Sequence, residues 1–110
     1  MNVTQLSPTF RVSAQITPAD VEQAKNDGIS VIACNRPDGE SADQIPAAEI
    51  QRACEAAGIK FVKLPMNGPN YSAEQVSTLK ALIDSSSNIL GYCRTGNRSS
   101  ILYNAAQGQS

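Results

Sequence analysis

Asn88-Ile89-Leu90-Gly91-Tyr92-Cys93-Arg94-Thr95-Gly96-Asn97-Arg98-Ser99 is the stretch that decides the fold. Asn88 to Tyr92 is a short apolar run, as expected of a buried strand. The residues after it turn at Gly96 and feed a helix predicted over Ser99 to Gln107. A strand passing through a tight loop into a helix is the repeating joint of α/β proteins. In parallel sheets, ligands bind beyond the carboxyl ends of the strands. Cys93 falls at such an end.

The same joint recurs upstream. Thr9 to Ser13 reads as a strand. Thr17-Pro18-Ala19-Asp20 supplies an N-cap, a proline at N1 and an acid at N3, and the helix they start ends at Gly28. Ile29 to Asn35 is apolar and β-branched, a second buried strand. Arg36 to Ile45 is a polar loop. Pro46 opens a helix whose apolar face is Ile50, Ala53, Cys54 and Ala57, and Gly58 closes it. Lys60 to Leu64 is a strand and Pro65 to Tyr71 a turn-rich segment. Ser72-Ala73-Glu74-Gln75 is a second capping box, starting a helix with Val76, Leu79, Ala81, Leu82 and Ile83 as core residues. Four strand–helix units predict an α/β fold of three layers, α/β/α, with a mostly parallel sheet of four to five strands.

The 110 residues fit one domain spanning 1–110, either natural in extent or excised from a longer protein. A net charge of −1 excludes a general nucleic-acid binder. No apolar run approaches the roughly 20 residues that cross a bilayer. Met1 to Gln5 has neither a basic start nor an apolar h-region, so no signal peptide is expected and a cytoplasmic location is. Cys34, Cys54 and Cys93 are too few and too scattered for a disulfide scaffold. The chain has no histidine. That excludes Cys–His and Ser–His pairs and His-ligated zinc, and neither metal nor cofactor is expected.

Cys93 must therefore be activated by other means. A helix N-terminus offers unpaired N–H groups and a partial positive charge. A loop ahead of it can hold an anion in a nest of amides. Arg94, Thr95, Gly96, Asn97 and Ser99 are the candidates for that loop, and Arg98 adds a planar fork suited to oxyanions. The same field should lower the Cys93 pKa and supply a thiolate nucleophile. The alternative is an inert buried cysteine among solvated arginines.

The loop from Cys93 to Ser99 resembles the active-site loops of cysteine-dependent phosphatases and rhodanese sulfurtransferases. The whole chain resembles the phosphatase-like domain of the beta-lactamase-hydrolase-like proteins. The likeness lies in Leu6-Ser7-Pro8, Asn35-Arg36-Pro37-Asp38-Gly39-Glu40, Leu64-Pro65-Met66 and the Cys93 loop. It implies a fold similar to dual-specificity phosphatases. It also implies a sulfur dioxygenase domain as a candidate partner, since some relatives carry one.

Two departures from the phosphatase pattern shape the functional expectation. Four residues, not five, separate Cys93 from Arg98, which resembles rhodanese, and Tyr92 replaces the histidine before the cysteine. The segment Pro65 to Tyr71 holds no carboxylate to protonate a leaving alkoxide. Asp38, Glu40 and Asp43 are the nearest substitutes. Sulfur transfer needs no acid: the thiolate attacks a sulfane sulfur, sulfite or a thiolate departs, and a Cys93 persulfide passes its sulfur to a thiol. The expectation is therefore a sulfurtransferase acting on thiosulfate or a persulfide, with Cys93 and Arg98 catalytic. The alternatives are a phosphatase working through a Cys93 phosphoenzyme, and a non-catalytic module binding an anion or a partner.

The remaining candidates carry paired readings. Arg36 either binds an anion or pairs with Asp38 or Glu40, and the pairing is favoured. Arg94 is expected to face the substrate's approach or solvent. Ser99 is expected to bond the Cys93 sulfur, to cap the last helix, or both. Asn67 and Tyr71 are expected to flank the site or to belong to a simple connection. Cys34 is expected to pack, with a disulfide to Cys93 as the alternative, and Cys54 to be core.

Overall fold

The computed structural model describes residues 1–85 and 87–108. The elements are β1 (Val3–Ser7), β2 (Phe10–Ser13), α1 (Pro18–Asn26), β3 (Val31–Cys34), α2 (Ala47–Ala57), β4 (Lys60–Lys63), α3 (Ala73–Asp84), β5 (Ile89–Tyr92) and α4 (Asn97–Gln107). They form one five-stranded sheet in the order β1-β2-β5-β3-β4. The pairs β2–β5, β5–β3 and β3–β4 are parallel, and β1 joins β2 antiparallel. This is an α/β fold with a mostly parallel sheet and four helices.

Strand alternation builds the two sides of the core. Ile32, Cys34, Leu90 and Tyr92 point to one face, where Val21 and Ala24 of α1 and Ile50 and Cys54 of α2 cover them. Val31, Ala33, Ile89 and Phe10 point to the other, beneath Val76 and Leu79 of α3 and Leu102 and Tyr103 of α4. β3 and β5 are buried throughout because helices lie on both sides of them. Both capping boxes are formed, by Thr17 with Asp20 and by Ser72 with Gln75. No helix among the described residues is long and apolar enough to cross a membrane.

Two expectations need correction. β1 was not expected, because its side chains are exposed or only half-buried and its five residues lack an apolar run. It is an edge strand held by its ladder to β2. The last helix begins at Asn97, two residues before Ser99, because Gly96 takes a left-handed φ of 93° and serves as its N-cap. Glycine is suited to that φ, and a Cβ there would stand 3.4 Å from the Ser13 carbonyl carbon. The early start brings Arg98 and Ser99 into the first helical turn.

Candidate active site

β5 lies at the centre of the sheet and delivers Cys93 at its carboxyl end, fully buried. The Cys93 amide donates to the Ser13 carbonyl at 3.3 Å, and the Gln15 amide to the Arg94 carbonyl at 3.4 Å. Those bonds moor the loop to the end of β2. The Gly96 amide then points back at the sulfur, donating to Cys93 Sγ at 3.0 Å.

Burial alone pushes the Cys93 thiol up, yet its pKa is lowered. The backbone amides of Ser99, Thr95, Gly96 and Arg98 converge on the sulfur and together outweigh desolvation. The other two cysteines show what burial does without such amides. Burial raises Cys34, and raises Cys54 to about 11. Histidine-free activation of Cys93 thus comes from the start of α4.

Arg98 is held from two directions. Its Nη1 and Nη2 donate to the two Glu40 carboxylate oxygens, each at 2.7 Å, and Nη1 also donates to the Met66 carbonyl at 3.0 Å. Those contacts use the end edge and one outer N–H of the guanidinium. The side edge, made of Nε–H and the remaining Nη2–H, makes none of these bonds, and it is a bidentate fork of the width of two oxyanion oxygens. Hydrogen bonding to Glu40 raises the Arg98 pKa, and the Cys93 sulfur adds to the effect.

Glu40 in turn accepts from Arg36 Nε at 3.1 Å. Arg36 is 5% exposed and also donates to Gln15 Oε1 and to Ser41 Oγ. The pairing expected of Arg36 is therefore present, with Glu40. Hydrogen bonding to Arg98, then to Arg36, holds the Glu40 carboxyl below its ordinary pKa. Asp38 is spent elsewhere: its Oδ1 accepts from the Ala47 amide at the start of α2, where Pro46 offers no side-chain cap.

Ser99 is placed differently from the capping expectation. Gly96 is the N-cap of α4, and the Ser99 hydroxyl donates to Asn35 Oδ1 at 2.8 Å. Ser99 reaches the sulfur through its backbone N–H, which lies in the first turn of α4. Asn35, passed over as a functional position in the sequence, is the joint that explains this. It is buried, its Nδ2 donates to the Leu64 carbonyl at 2.8 Å, its carbonyl accepts from the Met66 amide, and its own amide donates to the Tyr92 carbonyl. One asparagine ties β3, β4, β5 and α4 together. The available signal was a lone polar residue closing an apolar strand.

Cys34 pairs with Tyr92 in the β3–β5 register, so both face the core beneath α1 and α2. Cys93, the next residue along from Tyr92, lies past the end of β5 in the loop before α4 and outside that core cluster. The packing reading of Cys34 fits this register. Asn67 and Tyr71 lie on an exposed turn after β4, whose Met66 carbonyl reaches Arg98. Arg94 is exposed and lines a cavity of about 350 Å³ with Gln15, Arg36, Ser41 and Asp43. Thr95, Gly96 and Asn97 border a separate cavity of about 380 Å³ beside Thr4 and Ser13. Among the described residues no group of His, Cys, Asp and Glu is placed to hold a metal ion.

The chain is similar to a proposed phosphatase of Neisseria meningitidis Z2491, with 37% identity and a TM-score of 0.80 over 96% of this chain and 78% of that one. A proposed phosphatase of the DUF442 group from Shewanella putrefaciens CN-32 is 25% identical, with a TM-score of 0.78 over 98% and 73% of the two chains. The core catalytic domain of a PP-IP phosphatase from S. cerevisiae, solved with citrate, shares the fold at 14% identity, with a TM-score of 0.67 over 93% and 62%. No curated protein matches the chain.

These likenesses overturn the expectation of a sulfurtransferase. That expectation rested on the four-residue spacing and the missing acid. The spacing has a local cause, since α4 starts directly after Gly96, and it leaves the amides and the Arg98 fork in place. The family model for the beta-lactamase hydrolase-like protein, phosphatase-like domain matches residues 2–110, and the chain belongs to that family.

Proposed function

We propose that the protein is a cysteine-dependent phosphatase that hydrolyses phosphate monoesters through a Cys93 phosphoenzyme. The observation that carries this reading is the pairing of an amide-stabilised sulfur with an Arg98 guanidinium that interacts with it and whose side edge is not used by Glu40 or Met66. Two equatorial oxygens of a phosphoryl group fit that edge, and the loop amides supply donors to the same group. Cys93 attacks phosphorus in line with the departing oxygen, and water then cleaves the S–P bond. Arg98 and the loop residues Arg94, Thr95, Gly96, Asn97 and Ser99 form the phosphate cradle, with the Asn67–Tyr71 turn as an outer wall. Three free, buried cysteines suit the reducing cytoplasm, the compartment we infer.

The test is a rapid quench of the protein with 4-nitrophenyl phosphate, followed by intact mass and peptide mapping. The expected result is a phosphoryl adduct on Cys93 and steady release of phosphate, both lost in Cys93→Ser. Phosphate release that survives Cys93→Ser, or none from wild type, rejects the proposal.

A further inference from the structure

A phosphatase must protonate the oxygen it expels, and the turn after β4 has no carboxylate to do so. We propose that Asp43, on the loop after β3, is the general acid, and that this makes unactivated alkyl and aryl phosphate esters the natural substrate class. The inference rests on the phosphatase reading above.

Three carboxylates lie on that loop, and their contacts separate them. Glu40 is pinned by both arginines and held ionised. Asp38 is bound to the Ala47 amide. Asp43 accepts one hydrogen bond, from the Ser41 hydroxyl to Oδ1 at 3.0 Å, which leaves Oδ2 for another partner. Of the acids near helix starts, Asp20 closes the α1 capping box, and Glu74 is exposed, as Asp43 is, but does not line the cavity beside Arg94.

Location supplies the second argument. Asp43 lines the cavity of about 350 Å³ that also includes Arg94, the residue next to Cys93. A chain of contacts fixes its position relative to the phosphate fork: Arg98 to Glu40, Glu40 to Arg36, Arg36 to Ser41, and Ser41 to Asp43. Cys93 and Arg98 do not themselves line this cavity, so the leaving group must extend from the phosphate past Arg94 into it, towards the carboxyl.

The cycle balances with this single acid. The Cys93 thiolate forms the S–P bond as the P–O ester bond breaks, and the departing oxygen takes the Asp43 proton and leaves as an alcohol. Water then attacks phosphorus, gives its proton back to Asp43, and displaces the thiolate. Ester and water become alcohol and inorganic phosphate, with no other reactant.

The experiment is a leaving-group series measured with wild type, Asp43→Asn and Asp43→Ala: 4-nitrophenyl phosphate, phenyl phosphate and glycerol phosphate. Nitrophenolate departs without help, whereas phenoxide and alkoxide need a proton. The expected result is that both variants lose about 100-fold or more in kcat/KM on phenyl and glycerol phosphates. On 4-nitrophenyl phosphate they should lose less than about tenfold, so the dependence on leaving-group pKa steepens. Equal losses across the series, or no loss, overturn the role of Asp43. Cys93→Ser separates the two readings: if wild type turns over the series and Cys93→Ser does not, a flat Asp43 result counts against the acid alone.

Discussion

Cys93 carries its reactivity in the amides that face it. Because its pKa is lowered while Cys34 and Cys54 are raised, alkylation should single it out. The expected outcome with iodoacetamide is one rapid modification, on Cys93, whose rate rises with pH through a midpoint below the ordinary thiol value of 9.0. Mapping by mass spectrometry across pH 5 to about 9 checks this. Glu40 acts on the same site through Arg98. Glu40→Gln keeps the shape but loses the charge that anchors the guanidinium, so inorganic phosphate should bind about tenfold more weakly, or roughly 1.4 kcal/mol. A competition assay reads that shift. The pair also links stability to acidity. The Glu40 pKa is lowered in the fold, so its contribution is full above the unfolded carboxylate pKa and is lost as pH falls through the folded value. Thermal unfolding below pH of about 4.5 should therefore be less pH-sensitive in Glu40→Gln.

The joints between elements depend on a few polar residues. Asn35 satisfies Ser99 and Leu64 at once, inside the protein. Asn35→Ala orphans both partners, and a urea titration should show a loss of about 2–3 kcal/mol. The four strand–helix units were legible in the sequence because apolar runs, capping boxes and terminal glycines mark them locally. β1 was not legible, because an exposed edge strand carries little hydrophobic signal. Within the site, Cys93 and Arg98 stood out by spacing. The Glu40–Arg98 pair did not, since its residues are 58 apart and only the parallel order β5-β3 brings their loops together. Asn35 escaped for the same reason, since its role depends on which strand ends become neighbours, and Asp43 is legible only as one of three substitute acids with Asp38 and Glu40.

At the scale of the whole molecule, the sheet has one antiparallel edge and it protects the strand that moors the loop. β2 lies beside β5, and its Ser13 carbonyl anchors the Cys93 amide. Removing residues 1–8 would expose the β2 ladder to water and to other copies of the chain. The truncated protein is expected to unfold at lower temperature and to associate at concentrations where the intact chain stays monodisperse, as light scattering would show.

The contacts that activate Cys93 span residues 93–99, a single turn of chain. Those that aim Arg98 come from Glu40 and Met66, which are 58 and 32 residues away. The amides around the sulfur are thus supplied by one short segment, while the aim of Arg98 depends on the docked loops after β3 and β4. Loosening of the loops after β3 and β4 would therefore free the Arg98 guanidinium while leaving in place the amides that face the sulfur.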